Sequence, residues 1–177
     1  FKDAIGIIDL VSGGPPCQSY SLVGRREKDN SRNRLFEDFA SLVEIIEPKL
    51  VLFENVSGIL HPFKGEDGKQ YYAWFEVAKK FASIEYLPLC FHVNTKYLGI
   101  PQNRPRFLML AIKYELSNKL INGPKRKFYE DLFAGSLDFY HQVKKGCFDF
   151  ELKYKQKLLR DYTSPNGDIS RIQKFLP

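Results

Sequence analysis

An α/β fold is what this sequence predicts: a sheet of parallel strands with an antiparallel hairpin at one edge and helices on its faces. Three observations point to it. The apolar runs at residues 5–11 and 50–53 are short, continuous and bounded by turn residues, as strands buried on both sides are. Two stretches, one between these runs and one after the second, carry apolar residues at helical spacing. Residues 87–93 then alternate with period two, and residues 107–112 follow after only a loop, so the pair is most simply antiparallel.

The first run ends in Gly13, Gly14, Pro15 and Pro16, followed by Cys17, Gln18 and Ser19. Glycine relaxes φ and proline fixes it, so these four residues specify a backbone path that few other compositions would, and the turn holds the Cys17 thiol out. Residues 20–34 are polar and basic without periodicity, with Arg25, Arg26, Lys28, Arg32 and Arg34 among them. They predict a long loop, which in a compact domain serves function or moves. Leu35, Phe39, Leu42, Val43 and Ile46 share one helical face, and Pro48 closes that helix. Glu54 and Asn55 come directly after the second apolar run, residues 64–70 form a polar turn, and Trp74, Val77, Ala78, Phe81 and Ala82 mark a second amphipathic helix. Pro88 predicts that the alternating strand lies at a sheet edge. Beyond Tyr114 the pattern weakens: residues 123–127 read as a basic linker and 152–160 as a basic helix.

At 177 residues the chain has the size of one ordinary domain. Its 27 basic and 21 acidic residues give a net charge of +6, which suits a polyanionic partner. Cys17, Cys90 and Cys147 are far apart, show no Cys-x-x-Cys spacing and have no histidine cluster nearby, which argues against a disulfide framework or a zinc site and for a reducing compartment. No apolar run approaches the ~20 residues of a membrane span. The expectation is a soluble, cytoplasmic protein, and a start at Phe1 in mid-pattern predicts a piece of a longer one.

Open α/β sheets bind ligands outside the carboxyl ends of their parallel strands. Cys17 is expected just past the first strand, Glu54 and Asn55 just past the second, and Gln102 to Arg106 in the loop before the last. Together they bring a nucleophile, a carboxyl group and two guanidiniums to one edge. Each has a plainer use: a lone cysteine is more often a small buried hydrophobe, Glu54 and Asn55 suit a helix cap, and Arg104 and Arg106 suit a solvated loop. His61, His92 and His141 lack the spacing of ligands or a base and read as structural.

Pro-Cys-Gln within Gly13 to Ser19, Glu-Asn-Val at Glu54 to Val56 and Gln-x-Arg-x-Arg at Gln102 to Arg106 resemble, in that order, three successive signature motifs of the cytosine-5 DNA methyltransferases. Ser31-Arg32-Asn33, Leu35-Phe36, Pro48-Lys49 and Tyr97 to Pro101 fit the same pattern, so the resemblance covers about residues 5–113. It implies a partial Rossmann-like methyltransferase sheet, with residues 1–122 the C-terminal half of a catalytic domain and 123–177 a linker or the start of a target-recognition region. The implied reaction carries a methyl group from S-adenosylmethionine to C5 of a cytosine flipped out of double-stranded DNA, without a metal or a membrane.

By this resemblance Cys17 is the nucleophile that adds to C6. Glu54 hydrogen-bonds the N3/N4 edge of the base, its pKa raised by burial, and Asn55 ties down the Pro-Cys loop. Arg104 and Arg106 hold the target nucleotide and order Glu54, while Gln102 braces their loop. Gln18, Ser19, Arg25 and Arg26 contact substrate, and Pro15 and Pro16 border the methyl donor. The family's glycine-rich donor turn and its ribose-binding acidic residue are expected before Phe1, so the 177-residue chain alone is expected neither to bind the donor well nor to methylate DNA. The setting implied is prokaryotic, at the nucleoid, as in restriction-modification. Alternatives are a tRNA cytosine-5 methyltransferase and a catalytically dead nucleic-acid-binding relative. A thiol protease or redox enzyme fits poorly, for want of a placed histidine or second cysteine.

Overall fold

The computed structural model describes residues 5–16, 35–64, 70–146 and 157–163. Strand β1 (Leu10–Gly13) precedes helix α1 (Leu35–Ile46) and strand β2 (Leu50–Val56), which ends in a 3₁₀ turn at Ser57–Leu60. Short strands β3 (Phe63–Lys64) and β4 (Gln70–Tyr71) pair antiparallel with each other, and helix α2 (Ala73–Ser83) follows. The long strands β5 (Tyr86–Asn94) and β6 (Pro105–Lys113) come next, then helices α3 (Tyr114–Ile121) and α4 (Arg126–Lys144) and strand β7 (Leu159–Tyr162).

The main sheet runs β1-β2-β6-β5-β7. β1 is parallel to β2, β6 is antiparallel to both β2 and β5, and β7 is parallel to β5. The carboxyl ends of β1, β2 and β5 therefore share one edge with the start of β6, and among the described residues Pro15, Pro16, Glu54, Asn55, Gln102, Arg104 and Arg106 fall there. Successive strand residues face opposite sides. Val51, Phe53, Phe107, Met109, Ala111 and Cys90 build a buried face, and α1 and α2 cover it. Phe39 of α1 meets Phe53 at a ring distance of 6.1 Å, and Trp74 of α2 meets Phe107 at 6.0 Å. Removal of this apolar surface from water is the main stabilising contribution.

α1 ends as expected before Pro48, with Glu47 at φ 52° and its N–H bonded to the Val43 carbonyl at 2.8 Å. Four expectations need correction. The strand expected at residues 5–11 is not buried on both sides: Gly6 at φ 74° turns the chain, the strand begins only at Leu10, and Ile7 and Leu10 are 75% and 50% exposed on an end strand, while Val11 packs against the core. Pro88 does not mark an edge strand, since β5 lies between β6 and β7. β7 pairs only with Cys90 to Val93, so the missing N–H of Pro88 falls where β7 does not reach. Residues 159–160, expected in a helix, are strand, and α4 (residues 126–144) begins inside the expected 123–127 linker and runs on through residues whose sequence shows no sustained period. Phe133, Ser136, Phe139, Tyr140 and Val143 make the buried stripe of α4, with Phe139 5.3 Å from Phe75 of α2.

α4 is also tied to the turn before β5. The Glu85 carboxylate accepts hydrogen bonds from Tyr140 Oη and Lys144 Nζ, and these hold its pKa below the ordinary value of 4.5. A carboxyl group whose pKa is lowered by folding contributes stability above its unfolded value and loses it as pH falls through the folded one. Acid is therefore expected to weaken the α4 contact from about pH 4.5 downward, and Glu85→Gln to flatten this part of the profile. Thermal midpoints of both forms between about pH 3 and 6 check it, and parallel profiles would remove Glu85 from the account.

Candidate active site

The site grows from the ends of β1, β2 and β6. Residues after β1 continue as Gly14, Pro15 and Pro16, and β2 runs through Glu54 and Asn55 to Val56. These two polar residues lie inside the strand, not just past it as expected, because β6 stays paired as far as Val56 opposite Arg106. Strand alternation then sends Glu54 and Asn55 to opposite faces. Both grip the segment that leads to Cys17. Asn55 Nδ2 donates to the Pro15 carbonyl at 3.0 Å, and Asn55 Oδ1 accepts from the Val56 N–H at 2.8 Å. On the other face the Glu54 carboxylate lies against Gly14 so closely that a Cβ there would sit 3.1 Å from Oε2.

Arg106 fixes that carboxylate. In the antiparallel register Glu54 faces Leu108 and Val56 faces Arg106, so Glu54 and Arg106 are diagonal neighbours on one face, within reach of long side chains. Arg106 Nε lies 2.9 Å from Glu54 Oε1, and Nη1 donates to the Pro105 carbonyl at 2.8 Å. The planar fork thus bonds both a carboxylate and a carbonyl, which an ammonium group does less well. The burial expected for Glu54 is not found: its side chain is 45% exposed and that of Arg106 19%.

Gln102 and Arg104 lie on the loop between β5 and β6. Gly99 turns that loop at φ 82°, and Thr95 Oγ1 donates to the Gln102 carbonyl at 2.6 Å. The structure thus brings Pro15, Glu54, Asn55 and Arg106 into contact, and places Gln102 and Arg104 beside them on the same edge. Cys17, Gln18, Ser19, Arg25, Arg26 and the rest of the expected 20–34 loop lie outside the described residues. Cys90 shows the plainer fate of a lone cysteine: it is fully buried at the centre of β5, and burial pushes its thiol pKa up. His92 is half-buried on β5 with Nδ1 3.4 Å from Asp161 of β7; burial, more than any charge, pulls its pKa down. Among the described residues no group of three potential ligands could hold a metal, and no helix is long and apolar enough to cross a membrane. Sequence reasoning missed the closeness of Gly14 to Glu54; the only trace of it is a second glycine where one would already permit the turn.

Residues 2–173 match the family described as C-5 cytosine-specific DNA methylase. The chain is 32% identical over 127 residues to the type II methyltransferase M.DdeI of Desulfomicrobium norvegicum, covering 71% of this chain and 30% of that protein. It is 36% identical over 133 residues to the type II methyltransferase M.Bpa9945I of Bacillus paralicheniformis, covering 68% and 28%. The orphan methyltransferase M.SPRI of Bacillus phage SPR is 32% identical over 116 residues, covering 65% and 25%. The chain therefore spans less than a third of the length of these curated relatives. With the family match running over nearly all of its length, the chain belongs to the C-5 cytosine-specific DNA methylases.

Proposed function

We propose that the protein to which this chain belongs methylates C5 of a cytosine flipped out of duplex DNA. The observation that carries the reading is the Glu54 carboxylate, held between the Gly14 backbone and Arg106 while Asn55 holds the Pro15 carbonyl. In this reading the Cys17 thiolate adds to C6 of the base while the Glu54 carboxyl group, in its protonated form, hydrogen-bonds N3, so that charge developing on the ring is offset. Electron density moves to C5, which then takes the methyl group. The C5 proton leaves to a base, and the thiolate departs from C6.

S-adenosylmethionine supplies the methyl group when bound. Among the described residues only Pro15 and Pro16 fall where the family resemblance sets the donor, and neither side chain can hydrogen-bond. We therefore assign donor binding chiefly to parts of the protein other than these, and expect no methyl transfer by the 177-residue chain alone. α4 packs on the same core as α2, so any target-recognition region within residues 123–177 is assigned to the part beyond it.

Covalent trapping tests the reading. Full-length protein, S-adenosylmethionine and a random-sequence duplex carrying 5-fluorocytosine are expected to give an adduct that survives denaturation and disappears in Cys17→Ser. An adduct that persists in this variant rejects the nucleophile, and trapping on a fluorocytosine tRNA transcript but not on DNA moves the substrate to tRNA.

A further inference from the structure

We infer that Asn94 is a positioning residue of the arginine loop, setting where Arg104 meets the nucleic acid; the inference rests on the reading of Arg104 as a substrate contact. β5 ends at Asn94 and β6 begins at Pro105, and the two are Cα partners across the ladder. Residues 95–104 connect the strands, a connection well beyond the ~2–5 residues of an ordinary hairpin loop. Its internal bonds fold it on itself: the Ile100 N–H donates to the Thr95 carbonyl at 3.3 Å, and the Gln102 N–H to the Ile100 carbonyl at 2.7 Å.

Its return to the sheet rests on a long backbone bond, Thr95 N–H to the Arg104 carbonyl at 3.4 Å, on the bond from Thr95 Oγ1 to the Gln102 carbonyl, and on the side chain of Asn94. Asn94 is 6% exposed. Its Oδ1 accepts from the N–H of Lys96 at 3.3 Å and of Arg104 at 3.2 Å, and its Nδ2 donates to Asn103 Oδ1 at 2.8 Å. Both ends of the loop thus meet on one amide, a group with two acceptor lone pairs and two donors.

Capping the 3₁₀ turn at Thr95–Leu98 would need only the bond to Lys96. The bonds to Asn103 and Arg104 exceed that need. Among the described residues the Arg104 guanidinium makes no hydrogen bond or ion pair. Its aim depends on its backbone, which the following proline confines to extended conformations and Asn94 holds in place.

The test uses the full-length protein, S-adenosylmethionine and the 5-fluorocytosine duplex, with the rate of adduct formation followed against DNA concentration. Asn94→Leu is expected to raise the half-saturating DNA concentration about tenfold, with a smaller change in maximal rate. Asn94→Asp keeps the accepting oxygen, and the Asn103 amide turns to donate to it, so it is expected to stay within about threefold of wild type. In an Arg104→Ala background Asn94→Leu is expected to add nothing. Additive losses, or unchanged half-saturation in Asn94→Leu, overturn the inference while leaving the substrate role of Arg104 intact. Wild-type behaviour of Arg104→Ala instead overturns that role and the inference with it. Should Asn94→Leu not accumulate folded, Asn103→Ala on the exposed loop carries the same comparison: a shift of about threefold, absent in the Arg104→Ala background, supports the inference, and no shift overturns it.

Discussion

Replacing Arg106 by alanine in the full-length protein is expected to slow adduct formation with the 5-fluorocytosine duplex by about 10²- to 10³-fold, the loss typical of removing one preorganised donor. The guanidinium is the group that sets the Glu54 carboxylate at 2.9 Å, and without it the carboxylate has no described partner to choose among its rotamers. Arg106→Lys is expected to fall between, because a single ammonium can hold Glu54 or the Pro105 carbonyl but not both in the geometry of the fork. Stability should barely register the change. The pair is partly exposed, and pairs of this kind contribute about 1 kcal/mol or less. A thermal midpoint near wild type beside a large loss of rate would mark the pair as functional; an unchanged rate would remove it from the mechanism.

Gly13→Ala is expected to destabilise the fold by about 1–3 kcal/mol, the usual range for overpacking. A Cβ at this position would stand 2.5 Å from Phe39 Cε2 and 2.9 Å from Cζ, inside any tolerated contact. The Phe39 ring has little room to retreat, since it packs on Phe53 at 6.1 Å and on Phe81 at 6.2 Å. Denaturant unfolding of Gly13→Ala, Phe39→Leu and the double variant measures the effect. The double variant should be more stable than the sum of the single losses predicts, because leucine leaves the methyl space. Simple additivity would place the cost elsewhere in the turn. Gly14→Ala acts on the site instead, since its Cβ would meet Glu54 Oε2.

Much of this could be read locally. Pro48 ends α1, the spacing of Trp74, Val77, Ala78 and Phe81 sets the buried face of α2, and a loop with no crossover helix makes β5 and β6 antiparallel. Motif order along the chain pointed to Glu54, Asn55 and Arg106, which the structure brings together at the ends of β2 and β6. Periodicity, however, states which face of an element is apolar and not what covers it. Aromatic residues outside the buried stripe, Phe128 and Tyr129 among them, masked the period of α4, and β7 is defined only by the partner it finds on β5.

The sequence by itself determined the family and the α/β order of elements that sets Glu54, Asn55, Gln102, Arg104 and Arg106 along one sheet edge. The tertiary structure alone decided that Glu54 and Asn55 clasp the Gly14–Pro15 segment from opposite faces, that Arg106 lies diagonal to Glu54, and that Asn94 reaches Arg104 across the loop. The physical reason is register: these pairings depend on how β6 aligns with β2 and β5, and sliding it by one residue would turn Arg106 to the opposite face of the sheet from Glu54.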